Sequence, residues 1–135
     1  MTETGTDILF AAALLRRGEL VAIPTETVYG LAGNALDADA VLKIYATKGR
    51  PQFNPLIVHL ANKEAMATYA EVPPLAYRLA ERFSPGPLTY VLPKKPIVPD
   101  VTTGGGDTVA LRIPAHAMAH ELLSLLEFPL AAPSA

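Results

Sequence analysis

A chain of 135 residues, half of them hydrophobic, with a formal net charge of −2, has the size of one domain and enough apolar surface to build a core. No apolar run nears the ~20 residues that span a bilayer, and no secretory pattern opens the chain: acids precede the apolar residues 8–15, and Arg16-Arg17 follow them. The lack of cysteine excludes disulfides and thiolate zinc sites and fits a cytoplasmic protein, while eleven lysines and arginines against thirteen acids argue against a general nucleic-acid coat.

In chain order, Thr6 is placed to cap a helix over residues 7–17, with Gly18 ending it. Ile8, Ala11, Ala12 and Leu15 recur at helical spacing and predict its buried face. Residues 20–23 form a short apolar run that reads as a strand buried on both sides. Pro24 ends it, and residues 25–34 read as a loop in which Gly30 and Gly33 allow sharp turns. Asp37 caps a second helix with Val41, Ile44 and Tyr45 on one face. Residues 56–60 are a second strand, with His59 embedded in it. Asn62 starts a helix to about residue 70, and Pro73-Pro74 starts another reaching Phe83. A stiff turn at residues 84–87 leads to a third strand over 88–92 and then a loop over 94–106. A fourth strand spans 108–113, and a helix over 115–126 turns Ala115, Met118, Ala119, Leu122 and Leu126 inward. A fifth strand opens at Leu130. Strands alternating with helices predict an α/β layer fold with a mixed sheet over a single domain, residues 1–135.

The polar residues gather near the strand ends, where open α/β sheets bind ligands. Lys48-Gly49-Arg50-Pro51 holds two cations at a stiff corner between a helix and a strand. Those cations suit anionic oxygens, or simply the negative end of the preceding helix with Gly49 as its C-terminal cap. Arg112 interrupts an apolar strand. It either faces solvent while Val109, Leu111 and Ile113 face inward, or grips a carboxylate or phosphate with parallel hydrogen bonds. His59, alone in an apolar strand, reads first as a packed histidine with one satisfied nitrogen. His116 and His120 are four apart on a helix but lack the glutamate and third ligand of a zinc site. The glycines at 104–106 read as a flexible loop, and no P-loop pattern occurs.

Five ordered motifs then match a known family. Residues 23–31 (IPTETVYGL), Lys48-Gly49-Arg50-Pro51 with residues 54–59 (NPLIVH), residues 84–89 (SPGPLT), residues 109–114 (VALRIP) and residues 132–135 (APSA) resemble the YrdC-like family of threonylcarbamoyl-adenylate synthases. The resemblance runs from Gly18 onward. It implies a twisted mixed α/β sheet flanked by helices, with a concave, positively charged face. It also implies an enzyme that makes threonylcarbamoyl-AMP and pyrophosphate from L-threonine, bicarbonate and ATP. Downstream transfer proteins would carry the group to tRNA, as threonylcarbamoyladenosine, and some members bind double-stranded RNA. By the same resemblance Thr27, His59 and Arg112, with the backbone at Ala132, would hold threonine. Lys48, Arg50, Asn54, Thr108 and Ser134 would hold the nucleotide. Lys48 and Arg50 would act in catalysis, since attack on an α-phosphorus needs positioning and neutralised oxygens more than a covalent nucleophile. Magnesium is expected to arrive on ATP, held mostly by substrate and water, because no acidic cage is visible.

The family pattern continues Ser-x-Asn, whereas this sequence ends at Ala135. The expectation is a chain that lacks the C-terminal part of the module, folds, and turns over poorly, because a terminal carboxylate beside Ser134 would repel the triphosphate. Two alternatives stand beside the synthase. One is a carbamoyl-adenylate-forming module of hydrogenase maturation, whose usual acylphosphatase and zinc-finger companions are missing here. The other is a non-catalytic module reading double-stranded RNA or tRNA, which would need clustered cations.

Overall fold

The computed structural model describes residues 5–24, 29–49, 51, 55–86 and 88–133. Six strands form one mixed sheet: β1 (Val21–Pro24), β2 (Tyr29–Asn34), β3 (Ile57–His59), β4 (Thr89–Pro93), β5 (Thr108–Arg112) and β6 (Leu130–Ala132). Their order across the sheet is β1-β2-β6-β3-β5-β4. β3 and β5 run parallel, and the other neighbours run antiparallel. Five α-helices accompany the sheet: α1 (Gly5–Arg16), α2 (Ala38–Lys48), α3 (Met66–Tyr69), α4 (Pro74–Phe83) and α5 (Ala117–Leu125).

Local chemistry explains most boundaries. The Asp37 carboxylate accepts from the backbone N–H groups of Asp39 and Ala40, so α2 starts at Ala38. Gly49 ends α2 in the left-handed conformation (φ 62°), returning its N–H to the Ala46 and Tyr45 carbonyls. Pro74 opens α4 at a position where a missing N–H costs nothing. Asn62 caps a 3₁₀ turn (Lys63–Ala65) that leads into α3, where the sequence suggested one continuous helix.

Other expectations need correction. The helix at the N-terminal end already includes Gly5, so Thr6 lies within its first turn instead of capping it. The loop expected over residues 25–34 holds β2, paired with β1 from Val21↔Ala32 to Pro24↔Tyr29. Both glycines lie in the strand and not in turns, and Gly33 serves close packing: a Cβ there would stand 2.8 Å from Leu20 Cδ2 and 3.4 Å from Ile44 Cδ1. The first strand is not buried on both faces, because it lies at the sheet edge with Ala22 exposed and Ile23 buried. The expected loop over 94–106 contains a 3₁₀ turn, Asp100–Thr103, anchored by the Thr102 hydroxyl donating to the Ala35 carbonyl. Ala115 precedes α5 and is exposed, not inward.

Two apolar clusters lie on opposite faces of the sheet. Val41, Ile44 and Tyr45 of α2, Met66 and Ala80 pack against Val58, Tyr90, Val109 and Leu111. On the other face Ile8, Ala12 and Leu15 of α1 and Leu122 and Leu123 of α5 pack against Ile23, Ala32, Leu130 and Ala132. The second cluster covers β1, β2 and β6. It does not extend across β5 and β4, whose residues on that face stay partly or fully exposed.

Candidate functional site

Alternation along the strands decides what that open half of the sheet carries. On β5, Val109 and Leu111 are buried, whereas Thr108 is exposed and Ala110 and Arg112 are half-buried. On β4 the opposite phase holds: Tyr90 and Leu92 are buried, Val91 is 64% exposed and Thr89 is half-buried. Register aligns these residues into rows. Leu130, His59, Arg112 and Thr89 form one row across β6, β3, β5 and β4, and Ala132, Ile57, Ala110 and Val91 form the next. Thr108 lies one step further along β5, about 13 Å from Arg112 by strand rise.

Arg112 is the sole cation in these rows. Its Nε and Nη2 both donate to the Thr89 hydroxyl, at 3.0 and 2.8 Å. No ion pair involves it among the described residues. Its partner among the described residues is thus neutral, and a guanidinium on a half-open apolar surface has paired donors that suit a carboxylate or phosphate. His59 beside it is 2% exposed. Its Nδ1 lies 3.2 Å from the Ile57 carbonyl oxygen, which can only accept, so Nδ1 carries the proton. The packed-histidine reading describes this burial, and the residue stands in the same row as Arg112.

The other expected site residues divide by position. Ala132 is buried at the end of β6, opposite Ile57. Lys48 is exposed at the last position of α2. The Tyr45 hydroxyl ties that end of α2 to the Val101 carbonyl at 2.9 Å, in the 3₁₀ turn leading to β5. The Leu56 N–H donates to the Thr102 carbonyl of the same turn, just before β3. Lys48 and Thr108 therefore lie toward the N-terminal ends of β3 and β5, and His59 and Arg112 at the C-terminal ends. Thr27, Arg50, Asn54 and Ser134 lie outside the described residues.

Thr89 escaped the sequence reading, although its motif was noticed. Its only signal is the register that sets it opposite Arg112, and strand pairing is not written in a local pattern. His116 has a structural task. It caps α5, its Nδ1 accepting from the Met118 N–H at 3.2 Å. Among the described residues no cluster of three histidines, cysteines or acids could hold a metal, and no helix is long and apolar enough to cross a membrane.

A cleft of about 290 Å³ opens elsewhere, between the turn after β3 and the segment joining α5 to β6. Its polar groups serve the fold. Asn62 caps the Ala65 N–H, Ser124 donates to the His120 carbonyl, and Glu127 pairs with Arg16 at 3.2 Å. That ion pair holds the Glu127 carboxyl below its ordinary range, and burial raises the Tyr69 phenol.

The Sua5/YciO/YrdC family model, described as "Telomere recombination", matches residues 13–135. A threonylcarbamoyl-AMP synthase of Pyrococcus abyssi is 58% identical over 129 residues, which cover 95% of this chain and 38% of that protein. One of Bacillus subtilis is 52% identical over 128 residues, covering 93% of this chain and 37% of the relative. The crystal structure of P. abyssi Sua5 complexed with L-threonine superposes with a TM-score of 0.92 at 57% identity, over 96% of this chain and 38% of the other. The chain thus spans under two-fifths of the length of these relatives.

Proposed function

Given that the chain belongs to the Sua5/YciO/YrdC family, we propose that it supplies the amino-acid and nucleotide sites of a threonylcarbamoyl-AMP synthase. The observation that carries the reading is Arg112: a guanidinium with no ion pair among the described residues, at the end of an open sheet face, in one row with His59 and Thr89. Ile57, Ala110 and Val91 in the neighbouring row give a floor without competing charge, bordered by the buried Ala132. The reading gains further support from the superposition on a family member solved with L-threonine. The threonine carboxylate would lie on Arg112, with Thr27, His59 and the Ala132 backbone around the rest of the amino acid.

ATP would occupy the other end of the strands, near Lys48 and Thr108, with Arg50, Asn54 and Ser134 completing the set. In the overall reaction the threonine nitrogen takes up the bicarbonate carbon with loss of water. A carbamate oxygen then attacks the α-phosphorus and pyrophosphate leaves. The protein's part is to align that oxygen with the leaving group and to offset charge on the phosphoryl oxygens, which suits Lys48 and Arg50. Magnesium would come with the triphosphate. The concave basic face expected for the family corresponds in this reading to the open half of the sheet, and the product would pass to proteins that modify tRNA.

Isothermal titration of L-threonine, with ATP and magnesium present, tests the reading. Saturable heat is expected from the wild-type chain and its loss in Arg112→Ala. Equal heat from both proteins would remove Arg112 from the site and the reading with it.

A further inference from the structure

We infer that Thr89 is a positioning residue for Arg112, holding one edge of the guanidinium so that its two terminal nitrogens present a fork to a ligand carboxylate. The inference rests on the proposed function for the identity of the ligand, but its geometry is independent of it.

A guanidinium carries five N–H donors, one on Nε and two on each terminal nitrogen. Nε and Nη2 both meet the single Thr89 oxygen, at 3.0 and 2.8 Å, so Thr89 occupies the side edge. Among the described residues, both N–H groups of Nη1 and the second of Nη2 meet no protein acceptor and remain for a ligand. These are the donors that match the two oxygens of a carboxylate in parallel. Cross-strand register fixes the arrangement, because Thr89 and Arg112 are direct partners in the antiparallel β4–β5 pair. The hydroxyl is also neutral. An aspartate in its place would hold the same edge but would cancel the charge that attracts the ligand. Threonine orients the cation without neutralising it.

Valine matches threonine in shape and lacks the hydroxyl, whereas serine keeps the hydroxyl and loses the methyl. The test therefore compares Thr89→Val and Thr89→Ser with wild type and Arg112→Ala, each checked for an unchanged fold by circular dichroism. The first readout needs no ligand: the ¹⁵N-resolved Nε–H signal of Arg112 should exchange slowly in wild type and Thr89→Ser and be lost in Thr89→Val. The second is L-threonine affinity. Thr89→Val should weaken it roughly tenfold, since a hydrogen bond to a charged group is at stake. Thr89→Ser should stay close to wild type, and ATP affinity should not move in either variant.

Wild-type threonine affinity in Thr89→Val, with loss in Arg112→Ala, would overturn the inference while leaving the proposed function in place. No threonine uptake by wild type would overturn the proposed function. The Nε–H signal then decides alone, and a signal unchanged in Thr89→Val overturns the positioning role.

Discussion

One face of the sheet is sealed from β6 to β4 and exposed at the β1 edge, at Ala22, whereas the other is sealed from β1 to β6 and open at β5 and β4. On the sealed face α2, α3 and α4 cover Val58, Tyr90, Val109 and Leu111, and burial there is nearly complete. On the opposite face α1 and α5 cover β1, β2 and β6, leaving Ala110, Val91 and Arg112 at least partly exposed. The same strands supply both surfaces, so neighbouring residues on β5 face different surroundings: Leu111 is fully buried in the core, and Arg112 lies on the open face. Fold and site are separated by side-chain direction and not by distance along the chain.

Substitutions on the two faces should therefore diverge. The largest loss of stability is expected from Leu111→Ala, which removes a fully buried side chain and should cost about 2–5 kcal/mol in thermal or denaturant unfolding. Arg112→Ala, one residue away, should cost about 1 kcal/mol or less while losing ligand binding. A comparable loss of stability in both would break the division between faces. Next comes Gly33→Ala, where the new Cβ would press on Leu20 and Ile44 from the sealed side. About 1–3 kcal/mol of destabilisation is expected on denaturant titration.

Smaller effects sharpen the comparison. Asp37→Ala removes the N-terminal cap of α2, which carries the sealed face, and should lower stability by about 1 kcal/mol. Val91→Thr, on the open face, should stay within about 0.5 kcal/mol of wild type. The smallest effect concerns Glu127, whose carboxyl Arg16 holds below its ordinary value of 4.5. A depressed folded-state value stabilises above the unfolded value and loses that contribution as pH falls through the folded one. Melting curves of wild type and Glu127→Gln should converge as pH drops below about 4.5, and salt should shrink the gap because the pair is exposed.

Elements with a strong periodic signal were legible in the sequence. The apolar spacing of α1 and the caps of α2 mark helices that the structure contains. The alternation of Val109, Leu111 and Ile113 sets Arg112 on the other face, as one reading of the fourth strand required. β2 was not legible because Gly30 and Gly33 resemble turn residues, and the packing of Leu20 and Ile44 that calls for glycine at position 33 is not written in the local sequence. The buried threonine of the 3₁₀ turn before β5 was missed for a related reason, since its partner, the Ala35 carbonyl, is 67 residues away in sequence. The candidate site was proposed from motifs that name residue types, and no local signal in the sequence gives the strand pairing that sets Thr89 opposite Arg112. Thr89 therefore passed unnoticed while Arg112 stood out.

The central claim is that the bare half of the sheet, ending at Arg112, receives the amino acid. Its most direct test is a ¹H–¹⁵N NMR titration of the labelled chain with L-threonine in the presence of ATP and magnesium. The account predicts shifts concentrated at Thr89, Ala110 and Arg112 and their β3 neighbours, with the cleft around Asn62 and Phe128 unmoved. Shifts confined to that cleft, or none at millimolar threonine, would contradict it.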